Sequence, residues 1–592
     1  MRSLKVLNKY LYKYRAKLLL GVFFVGISVF FGVLPAQLVR KSFNIVEKAI
    51  EGFRDNPNFD YTDLRNQLML YGAIIIGASL LKGLFMFLMR QTIIVVSRHI
   101  EYDLKNEVFK QYQDLSLSFY KRNKTGDLMN RISEDVSRVR MYLGPAIMYT
   151  INVGISLLII IPIMVYLSPR LTLYVLAPLP VLATSIYYVS RKINIKSERV
   201  QRQLSAISSF VQESFSGIRV LKAYTREKHS LERFSDEANL YFERNRELYR
   251  INALFFPLMI LLIGLSTILT VYIGGLETIR GEITTGVIAE FIIYVNMLTW
   301  PVASIGWVTS LVQRAAASQE RINEFLDVDP EIKNKNVEED FEFQGNLEFK
   351  NVSFTYPDTG IKALDEINFK LEAGKSLAIV GRTGAGKSTI ADLVGRLYDA
   401  DSGEILVDGK PIESVNLFGL RKSIGYVPQE AFLFSTTIAK NIGFGIEGAG
   451  AEQIQKAAKN AEVHHNIMDF PQAYETKVGE RGITLSGGQK QRVSIARAIM
   501  KEPRVLIFDD CLSAVDTETE ERILNNLKRL IKQRTSIIIS HRVSSVKNAD
   551  HIIVLEKGKI IERGSHETLM ENKGYYAEMY HQQLSEESKK TA

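Results

Sequence analysis

The stretch "SLAIVGRTGAGKSTIADLVGRLY", Ser376 to Tyr398, decides how the second half of this 592-residue chain folds. Its first residues read as a buried apolar strand, "GRTGAGKST" (Gly381 to Thr389) as a glycine-rich loop, and the remainder as a helix. G-x-x-x-x-G-K-S between a strand and a helix is a phosphate cradle. Gly381, Arg382, Thr383, Gly384, Ala385 and Gly386 form a loop whose backbone N–H groups wrap phosphate oxygens. The helix that opens at Lys387, Ser388 and Thr389 adds its positive end. Lys387 supplies charge, and the Ser388 hydroxyl is placed to reach Mg2+. ATP with Mg2+ is therefore the expected ligand pair.

Working outward, "VLIFDDCLSAVD" (Val505 to Asp516) is a second apolar strand, and it ends on two acids. Asp509, about 120 residues beyond the loop, is the expected metal-side acid, and Asp510 stands where a carboxylate would direct the attacking water. "LSGGQ", Leu485 to Gln489, is another glycine turn that feeds a helix, "KQRVSIARAIM", and it too can hold a phosphate. One nucleotide loop plus a second phosphate-binding helix end invites face-to-face pairing of two chains, each turn closing the other's nucleotide. Short strands such as "LEFKNVSFTY", "TSIIIS" and "HIIVLEKGKIIERG" alternate with helices around these motifs, which argues for an α/β domain.

The first half is of another kind. Hydrophobic content of 46% and a mean hydropathy of +0.00 average an apolar half with a polar one. Up to about Gln313 the chain carries uncharged apolar stretches, each near the roughly 20 residues a helix needs to cross a bilayer. They are Leu18 to Val39, Leu68 to Met89 (interrupted by Lys82), Tyr142 to Leu167, Leu171 to Val189, Ala253 to Leu276, and about Val287 to Val312. The first is too long for a signal-peptide core and reads as a retained span. Six core helices of a soluble protein would not need such lengths without charge. Lys and Arg concentrate in the N-terminal segment and in the long connections after the second and fourth stretches, so both termini are expected inside. The segment Pro35 to Gln67 balances its cations with Glu47, Glu51, Asp55, Asp60 and Asp63, which suits an outer loop. The net charge of +9 follows from this bias and from contact with the membrane surface. No basic and aromatic patch points to nucleic acid. The single cysteine, Cys511, excludes an intrachain disulfide and a cysteine-cluster metal site. Beside Asp510 it reads as a small residue in a tight turn, with redox sensing as the alternative.

The two long inner connections are patterned as helices, as in "FVQESFSGIRVLKAY", so helices continue below the membrane. In "FYKRNKTGDLMNRISEDV", Lys124, Thr125 and Gly126 break the helix and Asp127 is placed to cap the next one, a turn suited to docking on a cytosolic domain. The boundaries expected are a transmembrane domain over 1–317, a linker over 318–345 that becomes acidic around "DVDPEIKNKNVEED", a nucleotide-binding domain over 346–582, and a polar tail over 583–592.

With these motifs in this order, the chain resembles an ATP-binding cassette (ABC) exporter half-transporter, one membrane domain fused to one nucleotide-binding domain. The resemblance covers nearly the whole chain. It implies a multi-domain fold, an all-α six-helix transmembrane domain followed by an α/β P-loop ATPase. It also implies that Tyr356 in "SFTYPD" stacks on adenine and that Gln429 in "YVPQEAFLF" touches metal and water. "VGERG" (Val478 to Gly482) would contact the intracellular loops, and "SAVD", ending at Asp516, would cross the dimer interface. His541 in "ISHR" would sense the γ-phosphate. Ser486, Gly487, Gly488 and Gln489 would act in trans on the partner's nucleotide. "FYKRNKTGDLMNRISED" and "ESFSGIRVLKAYTRE" look like the intracellular loops whose short coupling helices press on the ATP-binding domains. Metal contacts are then expected from Ser388, Gln429 and Asp509, and catalytic roles from Asp510, His541 and Gln429.

Asp510 departs from the family's usual glutamate. It is one methylene shorter, and a misplacement of about 1 Å can cost on the order of 10²-fold. The site built on this chain's own loop is therefore expected to be slow, while the intact "LSGGQ" serves the opposite site. A heterodimer with a second half-transporter is favoured, and "DD" with "LSAVD" and "PQEAFLF" also resembles subunits of bacterial heterodimeric exporters. A homodimer in which Asp510 suffices, helped by His541, is the alternative. The expected activity is ATP-driven export or flipping of hydrophobic or amphipathic drugs, lipids or peptides across a bacterial inner membrane. A slow regulatory or ATP-gated membrane subunit is a second class, and a soluble cassette ATPase a third that the spans oppose. Lys82 either faces a cavity or snorkels toward headgroups near Arg90. Trp300, Pro301 and Trp307 either line a substrate path or pack, and Pro301 can kink its helix.

Overall fold

A computed structural model describes residues 2–55, 62–334, 341–479, 482, 484–511, 522–523, 526, 534–543 and 545–591. The chain divides into two compact units: residues Met1–Gln113 with Gly126–Val328, and Asp114–Thr125 with Asp329–Ala592.

The first unit is helical. Among the described residues, six helical stretches are long and apolar enough to cross a membrane: Arg15–Arg54, Thr62–Asp114, Thr125–Leu167, Pro169–Ser216, Glu227–Ile279 and Thr285–Leu326. Each contains one of the stretches expected from sequence and runs beyond it, because polar helical residues precede or follow the apolar ones. The last continues through Leu326, past residue 318. Lipid offers no hydrogen bonds, so each backbone group within the spans must bond inside its own helix. Pro35, Pro162, Pro257 and Pro301 nevertheless lie inside helices.

Several buried polar side chains in this unit are paired across helices. Glu290 is fully buried; it meets Arg40 Nε at 3.0 Å and accepts from the Tyr294 hydroxyl at 2.6 Å. Glu277 accepts from Ser168 at 2.8 Å. Asp135, only 2% exposed, accepts from Ser318 Oγ at 2.7 Å and from Arg321 Nε at 3.1 Å. Lys82 lines a cavity of about 410 Å³ with Ser28, Arg90, Asn152, Ser156 and Trp300. Pro301 lines it too, whereas Trp307 packs edge-on against Tyr149, ring centroids 5.5 Å apart.

Among the described residues the second unit holds two sheets. The strands are β1 (Leu347–Thr355), β2 (Lys362–Leu371), β3 (Ser376–Gly381), β4 (Ser402–Val407), β5 (Lys410–Pro411), β6 (Ile424–Val427), β7 (Val505–Asp509), β8 (Thr535–Ile539), β9 (His551–Glu556) and β10 (Lys559–Gly564). An antiparallel sheet runs β2-β1-β4-β5, and a six-stranded sheet runs β10-β9-β3-β8-β7-β6 with all but the β10 edge parallel. All residues of β3 and β7 are buried, which accounts for their unbroken apolar runs.

Asp114–Thr125 belongs to this unit although it lies between two membrane-spanning helices in sequence. It contains the short helix Leu117–Arg122, and the chain then enters a second helix, Thr125–Asn130, so the break falls at Asn123 and Lys124. Asp127 lies in the first turn of that second helix and pairs with Arg131 at 2.8 Å instead of capping it, because the helix has already begun at Thr125.

Asp135→Ala should lower the thermal unfolding midpoint of the detergent-solubilised chain. It strands the Ser318 hydroxyl and the Arg321 guanidinium, a loss of roughly 1–3 kcal/mol. Asp135→Asn, which keeps a hydrogen-bond acceptor, should lose less; equal midpoints for wild type and Ala would show that this cluster contributes nothing.

Candidate functional site

Parallel strands deliver their ends to one edge of the sheet. In register, Asp509 at the end of β7 pairs with Ile539 at the end of β8, and β8 lies between β7 and β3. The residues that follow these strands thus emerge together: the loop after Gly381, Asp510 after β7, His541 after β8, and Gln429 shortly after β6. This is the edge at which open α/β sheets place ligands.

The loop is held tightly. Gly386 has φ +96°, and a Cβ there would stand 2.3 Å from the Ala363 carbonyl oxygen; at Gly381 it would stand 2.2 Å from that of Leu555. Only glycine fits both positions. The helix Lys387–Val394 starts directly from Gly386 and carries Lys387, Ser388 and Thr389 in its first turn. Lys387 Nζ donates to the Gly381 and Arg382 carbonyls, each at 2.9 Å, which folds the ammonium back over the loop. Burial lowers its pKa, opposed by Asp510 and Asp509. Arg382, Thr383 and Gly384 are exposed at the crest, and Ala385 is buried beneath it.

Ser388 Oγ donates to Asp509 Oδ1 at 2.9 Å. Burial raises the Asp509 pKa, and the Ser388 hydrogen bond opposes it. The Tyr426 hydroxyl, on β6, also faces this carboxylate and favours its charged form. A hydroxyl and a carboxylate oxygen side by side suit a hard divalent cation that keeps most of its other positions for water and phosphate. Asp510 takes a left-handed backbone, φ +44°, and its Oδ1 lies 2.8 Å from His541 Nδ1. Gln429 Nε2 lies 3.5 Å from Asp510 Oδ2, at the long limit of a hydrogen bond. Asp510, His541 and Gln429 are thus gathered round one carboxylate, next to Asp509.

Tyr356 donates or accepts at Thr389 Oγ1, 3.0 Å away, and its ring meets those of Phe354 and Tyr398 edge-on. The signature turn opens the helix Gly487–Met500 with a reciprocal cap: Ser486 Oγ accepts from Gln489 N at 3.3 Å and Gln489 Oε1 accepts from Ser486 N at 3.0 Å. Ser486 and Gly487 are exposed, with Gly488 half-buried behind them. Of "VGERG", Val478 and Gly482 are buried, and Glu480 and Arg481 lie outside the described residues. Ser513 to Asp516, and with them the expected interface residue Asp516, also lie outside.

Sequence reading missed Tyr426, Asp392, Tyr398 and Lys121. Tyr426 opens the stretch "YVPQEAFLF" that carries Gln429, but nothing in that stretch marks it as a neighbour of Asp509. Asp392 lies one turn beyond Ser388 on the same helix, a helical spacing that marks it in retrospect. Burial pushes its pKa up to about 6, opposed by the charge of Lys121.

Comparison with known proteins agrees with this architecture. Residues 16–302 match the model described as the ABC transporter transmembrane region, and residues 364–513 the model described as ABC transporter. The chain is 38% identical over 480 residues to YknU of Bacillus subtilis, an uncharacterized ABC transporter ATP-binding protein, covering 81% of this chain and 82% of that one. It is 34% identical to the ATP-dependent lipid A-core flippase of Syntrophus aciditrophicus, covering 83% and 82%. It is 35% identical to the multidrug resistance-like ATP-binding protein MdlA of Escherichia coli, covering 88% of each. The solved structure of a bacterial Atm1-family ABC exporter with ATP bound superposes with a TM-score of 0.77 at 28% identity, covering 98% of this chain and 99% of that one. Six membrane-spanning helices joined to a nucleotide-binding α/β domain, with these relatives, identify the chain as an integral membrane protein of the ABC transporter family, a half-transporter of the exporter type whose ATPase is coupled to transport.

Proposed function

We propose that this chain is one half of a dimeric exporter or flippase that moves amphipathic molecules out of the cytoplasm, with both termini inside. The observation that carries the reading is the pairing of Ser388 with Asp509 beside Asp510, His541 and Gln429 at one sheet edge. The cavity lined by Lys82 and Arg90 among Met86, Met89 and Trp300 mixes cations with apolar surface, which suits amphipathic cargo better than a purely apolar one. The multidrug and lipid A names of the relatives fit the same class.

In this reading ATP lies on the glycine loop with its base against Tyr356. Lys387 leaves the Gly381 and Arg382 carbonyls for the β- and γ-phosphates. Ser388 and Asp509 would hold Mg2+, and Gln429 would contribute to its binding; the ion would offset charge on the phosphate oxygens. Asp510 orients or deprotonates the water, and His541 holds that carboxylate and senses the γ-phosphate. Gly381 to Gly386 enclose the triphosphate, and Ser486, Gly487, Gly488 and Gln489 complete the partner's site, with Asp516 at the interface.

The short side chain of Asp510 is already engaged with His541, which supports a slow site on this chain and a heterodimer whose partner supplies a glutamate. Closure of the two nucleotide domains on ATP would drive alternation between inward-open and outward-open membrane domains in a bacterial inner membrane.

Lys387→Ala should abolish ATPase activity and transport in proteoliposomes without changing membrane insertion, since it removes the phosphate charge and touches no span. Wild-type turnover would refute the site.

Gly488→Asp places a carboxylate at the turn expected to meet the partner's γ-phosphate. ATP should then fail to close the dimer in spin-label distance measurements; closure at wild-type ATP concentrations would rule out action in trans.

The lone chain should bind Mg-ATP but turn it over slowly, and Asp510→Glu should raise steady-state turnover by roughly 10-fold or more. Co-expression with the right partner should raise it without the mutation. Fast turnover by the lone wild type, unchanged or lowered in the glutamate variant, would make Asp510 a working base and favour the homodimer.

A further inference from the structure

The helix Leu117–Arg122 of the first cytoplasmic loop lies against the nucleotide-binding domain, where its contacts are specific. Leu117 packs on the buried cluster that includes Phe354, Ile390 and Tyr398. Ser118 and Arg122 both bond the Glu331 carboxylate. Between them Lys121 places its ammonium 4.7 Å from the centre of the Tyr356 ring and 5.5 Å from that of Tyr398, both within cation–π range.

Tyr356 is packed against that same cluster, with Phe354 and Tyr398 edge-on to it at 5.0 Å and 5.6 Å. Lys121 is exposed, so it reaches the ring from the solvent side. The face it covers is the open one, and a stacked base needs the same face.

We propose that Lys121 and the nucleotide base compete for the open face of Tyr356, so that base stacking frees the Leu117–Arg122 helix from one of its contacts on the nucleotide-binding domain. Asp392, on the helix that carries Ser388, gives the displaced ammonium an acid to turn to. Lys121 is then a positioning residue that links the base, as distinct from the phosphates, to the membrane domain's loop. By reciprocity, whatever loosens the loop helix strengthens base binding by the same factor. The inference rests on Tyr356 being the base platform.

The test uses the full chain in nanodiscs and measures equilibrium binding of Mg-ATP and of Mg-tripolyphosphate, which has no base. Lys121→Met should tighten ATP about 2- to 5-fold, the scale of an exposed cation–π contact, and leave tripolyphosphate unchanged or weaker. Lys121→Arg, which keeps the cation, should behave as wild type. A spin-label pair at Lys124 and Asp358, both exposed, should lengthen with ATP and not with tripolyphosphate. Weaker ATP binding in Lys121→Met, an equal change for both ligands, or an unmoved label pair would overturn the proposal. Tyr356→Ala separates the two readings. If it leaves the preference for ATP over tripolyphosphate intact, the base platform itself fails; if it removes the preference while Lys121→Met does nothing, only the competition fails.

Discussion

A carboxylate buried to 3% exposure at the end of an apolar strand must find partners, and Asp509 is such a group. Its partners come from separate elements: Ser388 from the helix after β3, and Tyr426 from β6, the strand beside β7. They meet only because β3, β8, β7 and β6 run parallel in one register, so that a slip in any pairing would move the hydroxyls away from the acid. The sheet order, the apolar filling of β3 and β7 and the tight glycine loop all serve this one convergence. The charge kept there also explains why Lys387, though burial disfavours its ammonium, is stabilised by two acids.

The membrane half obeys a different constraint. Its backbone is satisfied by helix formation, and its specificity comes from the few polar side chains it buries. Arg40 with Glu290 joins the first spanning helix to the last, and Asp135 with Ser318 and Arg321 joins the third to the last. Truncating one member of such a cluster leaves the others uncompensated, whereas apolar side chains along the same helices exchange neighbours at small cost. Lys82 has no ion-pair partner among the described residues; it lines a cavity, where water can solvate it.

The spans were legible because apolar length is a one-dimensional property, and the glycine loop was legible because its chemistry is contiguous in sequence. What sequence did not give is convergence across the chain. Tyr426 and Asp509 lie far apart in sequence and meet only through strand pairing, and Lys121 meets Tyr356 although hundreds of residues separate them. Local reading also misjudged the turn at Asp127: the motif looked like a cap, but the helix starts at Thr125, and the acid is used for an i,i+4 pair with Arg131 instead.

Asp510, where the resemblance leads one to expect a glutamate, shows how backbone and side chain combine. The chain turns sharply after β7, giving this residue a φ of +44°, while its N–H donates to the Ile539 carbonyl at 2.9 Å and so keeps the turn bound to β8. Left-handed backbone disfavours most residues with a Cβ, but aspartate and asparagine are enriched there. The shorter acid therefore suits the turn, and its carboxylate is drawn to His541 at the end of the neighbouring strand. A glutamate at the same place would extend one methylene farther while bearing the cost of the same backbone. The conformation of this turn thus favours the shorter acid, whereas the role proposed for it, activating a water, asks for the longer one, and the proposed heterodimer would resolve that conflict by leaving the role to the other site.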